Sequence, residues 1–272
     1  MPGLSDHSKL KNIMTHMRIK MLVLTMLLSA GIISAQEHKI SVQNTREAKL
    51  ILRNFPNDLP IEGYSGNEII ISADNREFVP PERAKGLKPV YPGGNDNSGI
   101  GLSVEKNGST ISVVCMLPIT KHADYKIRVP DNLSLEIESG CERTSNILVT
   151  NMKNEIEIQN CYGIDLRNVT GPLVLSTITG DINISFSALA PDRPMSINAV
   201  SGEIDITLPA KTAANLELRT MGGSFWSDFD FSETKENLKK VGGNEIGYAL
   251  NGGGPKFSIA TISGNVYIRK GN

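Results

Sequence analysis

Apolar and polar residues alternate with a period of two along most of the chain, and one phrase of that alternation recurs. It reads "LVLSTITGDINI" from Leu173, "MSINAVSGEIDI" from Met195 and "FSIATISGNVYI" from Phe257, with a looser copy, "LELRTMGGSFW", from Leu216. Each half-phrase is a short strand with one buried face, and the glycine between the halves marks a corner. Gly180, Gly202, Gly222 and Gly264 hold that position, where a positive φ would penalise most other residues. Thr177, Ala199, Thr220 and Thr261 stand just before the bend, small or β-branched residues suited to stacking on a counterpart one turn away.

The corner glycines are 22, 20 and 42 residues apart. Upstream, Asn154, Gly163, Gly171 and Gly180 follow at steps of 9, 8 and 9, so that two steps make one coil of similar length. Short strands at constant pitch, without helical periodicity, predict an all-β, single-domain β-solenoid. Its coils would stack at about 4.8 Å in parallel ladders, and residues 131–272 would supply about six or seven of them over about 30 Å. Gly264 then forms the last corner of the stack. An antiparallel β-sandwich also uses short alternating strands, but it rarely repeats a corner phrase so closely.

Before residue 131 the chain is still strand-like, with "KISVQ", "AKLIL", "NEIIISA" and "YKIRVP". Residues 36–130 therefore read as an N-terminal β region with capping coils, and 131–272 as the repeats. Two excursions interrupt them. Residues 75–98 hold four prolines and three glycines and read as an exposed loop. An insertion near 227–249 accounts for the doubled 42-residue step. Open solenoid edges invite aggregation, so these segments are candidate caps.

Residues 1–35 do not read as fold. Arg18 and Lys20 precede an apolar run from Met21 to about Ile33 and then small residues, the layout of a secretory signal peptide cleaved after Ala35. Residues 1–16 add nothing to that layout, which makes Met17 a candidate start. The expected location is the periplasm or cell surface, with no membrane span in the mature chain. The near-zero net charge, −1, gives no electrostatic case for a nucleic-acid partner. Cys115, Cys141 and Cys161 read as small buried hydrophobes, although coil stacking would also make the last two neighbours.

Little in the chain points to catalysis. His38 and His122 each stand alone after the leader, and no metalloprotease, nucleophile-elbow or phosphate-loop motif occurs. Asp228, Asp230 and Ser232 open like a calcium loop, but Glu233 and Lys239 occupy its glycine and final glutamate positions. Asp181 and Glu203, with Asn265 in the same slot, would form a polar column after the corners. Such a column is either a solvated face or a calcium site of the kind β-helix lyases use. "FWSDFDF" (225–231) includes the sole tryptophan. Trp226 and Phe229 are candidates for stacking on sugar rings or docking to protein, or else, with Phe225, for capping the core.

The phrases "IEGYSGNEIIISA", "YKIRVPDNLSLEIES", "TITGDINIS", "GGSFWSDFDF" and "LNGGGPKFSIATISGNVYIRK" together resemble the bacterial "putative adhesin" domain family. The resemblance spans about residues 48–270. It implies an exported β-solenoid-like domain with no assigned cofactor and no established catalytic residues. The expectation is a non-enzymatic, adhesin-like binding or scaffold protein of the cell envelope whose partner is an extended ligand, a glycan or an envelope protein. Two alternatives remain at this point: a calcium-assisted polysaccharide-active enzyme, and a structural protein that self-associates end to end.

Overall fold

The computed structural model describes residues 36–74, 81–87, 89–91, 94–190, 193–231, 239–240 and 245–271. The expected leader, residues 1–35, and much of the 75–98 and 227–249 excursions lie outside them. Among the described residues no helix is long and apolar enough to cross a membrane.

The strands of the N-terminal part are β1 (Gln36–Ser41), β2 (Lys49–Arg53), β3 (Asn57–Tyr64), β4 (Glu68–Asp74), β5 (Val90–Tyr91), β6 (Gly94–Asn95), β7 (Leu102–Asn107), β8 (Thr110–Cys115) and β9 (Asp124–Pro130). Then come β10 (Ser134–Glu138), β11 (Thr144–Thr150), β12 (Ile156–Asn160), β13 (Ile164–Val169), β14 (Leu173–Thr177), β15 (Ile182–Phe186), β16 (Met195–Ser201) and β17 (Ile204–Pro209). The last are β18 (Ala214–Thr220), β19 (Phe225–Ser227), β20 (Lys239–Lys240), β21 (Glu245–Leu250), β22 (Lys256–Ser263) and β23 (Val266–Gly271).

Apart from the antiparallel β5–β6 pair, these strands form a two-sided β-solenoid. One side is a ten-stranded sheet in the order β1-β4-β9-β3-β11-β13-β15-β17-β23-β19. The other has eleven strands in the order β20-β21-β18-β22-β16-β14-β12-β10-β2-β8-β7. Each coil contributes one strand to each sheet, and neighbouring coils pair in parallel, as β14 with β16 and β15 with β17. Alternation explains the core, because every second residue of each strand points between the sheets. Leu52, Ile137, Ile158, Leu175, Ile197, Ile259 and Leu218 stack in register as one buried inner column. Ile61, Val149, Leu166, Ile184, Ile206 and Ile268 form another on the opposite sheet. Burying each such side chain contributes about 1.5–3 kcal/mol.

Stacking order departs from chain order at both ends. The coil β22–β23 lies between β16–β17 and β18–β19, so Gly264 is not the last corner of the stack. Likewise β2–β3 lies between β8–β9 and β10–β11. Beyond each end the pairing turns antiparallel. β4 and β1 cover β9, β7 covers β8, and β21 with β20 covers β18. Part of the 227–249 excursion is therefore a strand that protects a sheet edge.

Positive φ holds at two of the corner glycines, Gly202 (158°) and Gly264 (155°), but not at Gly180 or Gly222, so the shared constraint is a different one. A Cβ on Gly180 would meet the Gly163 nitrogen at 2.2 Å, and one on Gly202 the Gly180 carbonyl oxygen at 2.3 Å. Gly264 would meet the Gly202 oxygen at 2.0 Å, and Gly223 the Gly264 oxygen at 1.8 Å. Each corner seats the backbone of the next, so close approach is the constraint. In the looser copy this place belongs to Gly223 rather than Gly222, whose Cβ would have 3.5 Å of room. The residues before the bend are buried, and Thr177, Thr261 and Thr220 donate their hydroxyls to the carbonyls of Tyr162, Gly202 and Gly264.

Two cysteines also depart from expectation. Cys141 and Cys161 form a disulfide across adjacent coils, with Cα atoms 5.0 Å apart, and only Cys115 is a free buried thiol. Stacking brings the pair within bridging distance although 20 residues separate them. The segment "NDNSGIG" holds itself together as well. The Asp96 carboxylate accepts N–H bonds from Ser98, Gly99 and Gly101, and Tyr125 Oη donates to the Ile100 carbonyl.

Candidate functional site

Side chains that do not enter the core line two outer faces, and the face of the ten-stranded sheet carries the more varied chemistry. Its central column runs in register through Pro60, Leu148, Asp165, Asn183, Asp205, Tyr267 and Trp226. A shallow open groove of ≈ 660 Å³ lies over the middle coils, lined by Asp58, Pro60, Asn146, Leu148, Tyr162, Gly163, Asp165, Asp181 and Asn183 among others. Gly163 sits between the longer Asn146 and Asp181 in its column, which deepens the groove there. A second groove, lined by Lys39, Glu62, Ile70, Lys126, Arg128 and Thr150, shares Pro60 and Leu148 with the first. The two grooves therefore adjoin at Pro60 and Leu148.

The corner column that raised the question of a metal site has another use. Asp58 Oδ1 accepts the Asn146 N–H at 3.0 Å, and Asn146 Oδ1 accepts the Gly163 N–H at 3.2 Å. Farther along, Asp181 Oδ1 accepts the Glu203 N–H at 2.8 Å, and Asn265 Oδ1 accepts the Ser224 N–H at 3.0 Å. These side chains tie each corner to the next by satisfying backbone donors outside the sheet ladder. Among the described residues, no three His, Cys, Asp or Glu side chains are grouped so as to hold a metal ion.

Toward β19 the face becomes an aromatic and polar cluster. Glu203 Oε1 accepts from Asn265 Nδ2 at 2.9 Å and from Tyr267 Oη at 3.0 Å. Arg269 donates from Nε at 2.8 and 2.9 Å to the two Asp205 oxygens and from Nη2 at 2.7 Å, while its guanidinium lies 5.5 Å from the Tyr267 ring centre. Hydrogen bonding to Asp205, aided by that charge, pushes the Arg269 pKa up, so the residue stays cationic. The basic group is thus held by Asp205, two residues beyond Glu203.

Trp226, on β19, is 59 % exposed and lies opposite Tyr267. Phe229 is only 6 % exposed, is part of the core, and lies beneath the Lys270 ammonium at 5.2 Å. Of the aromatic candidates only Trp226 offers an open face. Neither Tyr267 nor the Pro60–Leu148–Gly163 groove is among the candidates the sequence offers. Aligning the repeated phrases places Tyr267 in the slot held by Asn183 and Asp205, so register alone could have found it.

The family match agrees with this architecture. The profile of the family described as Toastrack DUF4097 matches residues 106–269, more than half of the chain. The chain belongs to this family. Three solved structures are similar to it. A "putative cell adhesion protein" from Clostridium sporogenes has 13 % identity and a TM-score of 0.46, the match covering 88 % of this chain and 100 % of that one. "Putative adhesins" from Bacteroides fragilis and Parabacteroides merdae have 12 % and 10 % identity, with TM-scores of 0.34 and 0.27. Those matches cover 88 % and 89 % of this chain and 97 % and 98 % of theirs. No curated protein matches the sequence significantly. The Toastrack match covers all three close copies of the corner phrase and the cluster from Asp181 to Arg269.

Proposed function

We propose that this Toastrack protein is an exported, non-enzymatic, adhesin-like binding module of the bacterial cell envelope that uses the outer face of its ten-stranded sheet as the contact surface. The observation that carries the reading is the pair of shallow grooves that adjoin at Pro60 and Leu148, continued in one column of side chains to Trp226. A surface that long and shallow gives many weak contacts to an extended ligand instead of enclosing a small one. Asp58 and Asp181 are engaged by backbone N–H groups of the neighbouring corner, and Asp165 and Asp205 by Arg167 and Arg269, which supports a hydrogen-bonding surface over a catalytic one. The Cys141–Cys161 bridge suits an oxidising compartment and so supports export.

The test is a binding screen of the purified protein against glycan arrays and isolated envelope polysaccharide. Retention that is lost in Leu148→Glu, with the fold intact, is the expected result. Blank screens, or retention indifferent to that substitution, would overturn the proposal.

A further inference from the structure

The far end of the proposed contact face has a composition that narrows the ligand, and we infer that it is a subsite for a neutral sugar residue. The sugar would stack on Trp226 and take hydrogen bonds from Arg269 and to Glu203. This inference rests on the outer-face reading above.

The first support is the tryptophan itself. A large aromatic ring at 59 % exposure, with no ring partner or side-chain hydrogen bond among the described residues, is a poor fit to a structural role. The C–H face of a pyranose is an apolar surface of matching size. The second support is the group of side chains on the adjoining strands. Tyr267, Asn265 and Glu203 hold one another through bonds of 2.9–3.1 Å, and Asp205 fixes Arg269 through three. None of these bonds uses Arg269 Nη1 or Glu203 Oε2. One planar donor and one planar acceptor are therefore held on the same outer face as the open ring, Arg269 on the adjacent β23 and Glu203 just before the start of β17 beyond it, with little rotamer freedom left to lose on binding. Vicinal sugar hydroxyls, which both donate and accept, match that arrangement.

Charge selects the class of sugar. Among the described residues, four acids, Asp181, Glu203, Asp205 and Asp228, lie along this part of the face with two bases, Arg269 and Lys270. Asp205 already neutralises Arg269, and the Lys270 ammonium lies over the Phe229 ring. A uronate or sulfated chain would bring its negative charge to a site with an acidic excess, so a neutral chain is favoured.

The chain has a single tryptophan, so its emission reports on this site alone. The purified protein is titrated with neutral hexasaccharides of glucose, mannose, galactose and N-acetylglucosamine, and with hexagalacturonate as the acidic probe. The inference expects a saturable shift of Trp226 emission with at least one neutral probe and none with the acidic one. By calorimetry, Trp226→Ala should weaken binding at least tenfold, Trp226→Phe should retain most of it, and Arg269→Gln should weaken it severalfold at unchanged melting temperature. A shift with the acidic probe alone, no shift with any neutral probe, or undiminished binding by Trp226→Ala would overturn the inference. If Leu148→Glu abolishes capture of envelope polysaccharide while Trp226→Ala does not, the sugar subsite falls and the outer-face reading stands. If neither substitution matters, both fall.

Discussion

Gly264 and Gly202 stack corner on corner: a Cβ on Gly264 would lie 2.0 Å from the Gly202 carbonyl oxygen. That contact sets how closely consecutive coils approach, and it yields a comparison within one loop. Gly223→Ala and Gly264→Ala should each cost more than about 3 kcal/mol, because backbone, not a flexible side chain, blocks the methyl group. Gly222→Ala should change stability by less than about 1 kcal/mol. Urea denaturation of the three variants checks the ranking, and equal losses at 222 and 223 would count against the ladder.

A second prediction concerns stacking order. Among the described residues, β18 pairs only with β21 and β22, and β19 only with β23. The cap is thus joined to the other coils' ladders through the last coil of the sequence. Removing residues 256–272 should abolish amide protection in 214–250 while β10–β17 keep theirs, as read by hydrogen exchange. Retained protection in β18 would show that the cap docks independently.

The disulfide gives a third. Closing a loop across a 20-residue separation restricts the unfolded chain and is worth about 3 kcal/mol in the loop-entropy account. Reduction, or Cys141→Ser with Cys161→Ser, should lower the melting temperature by several degrees, whereas Cys115→Ala should act through packing alone. Calorimetry with and without reductant measures the difference.

The fourth concerns acid. On the outer face of the eleven-stranded sheet, Arg53 donates to Glu138 at 2.6 and 3.0 Å. That hydrogen bond, with help from the Arg53 and Lys49 charges, holds the Glu138 pKa below the ordinary carboxylate range. A depressed folded pKa contributes stability at pH above the unfolded value of about 4.3, and the contribution disappears as pH falls through the folded value. The pair is exposed, so it is worth less than about 1 kcal/mol. Glu138→Gln should therefore lower stability slightly at pH 7 and flatten its decline below pH 4, as measured by denaturation across that range.

Much of this architecture was legible in the chain because a solenoid writes its fold as repetition. The phrases at Thr177, Ala199 and Thr261 fix strand, bend and strand, and the buried threonines follow from their place before the bend. Stacking order was not legible, since each copy of the phrase can pair with any other and only the intervening lengths differ. The 42-residue step between Gly222 and Gly264 recorded an excursion without saying that β21 returns antiparallel and β22 slips beneath β18. The Asp181 and Glu203 column was visible as a column, but its partners, the Glu203 backbone N–H for Asp181 and the Asn265 and Tyr267 side chains for Glu203, are not revealed by composition. The Cys141–Cys161 bridge, the groove at Pro60 and Leu148, and the meeting of Trp226 with Tyr267 all join distant segments, so each depends on knowing the register.

The central claim is that the ten-stranded sheet's outer face is the contact surface, and opposed substitutions on the two faces test it most directly. Leu148→Glu alters the groove, whereas Ser196→Glu places the same charge on the eleven-stranded sheet, and envelope-polysaccharide binding is measured for both by surface plasmon resonance. The account predicts at least tenfold weaker binding for Leu148→Glu and wild-type binding for Ser196→Glu. Equal loss in both, or loss only in Ser196→Glu, would contradict it.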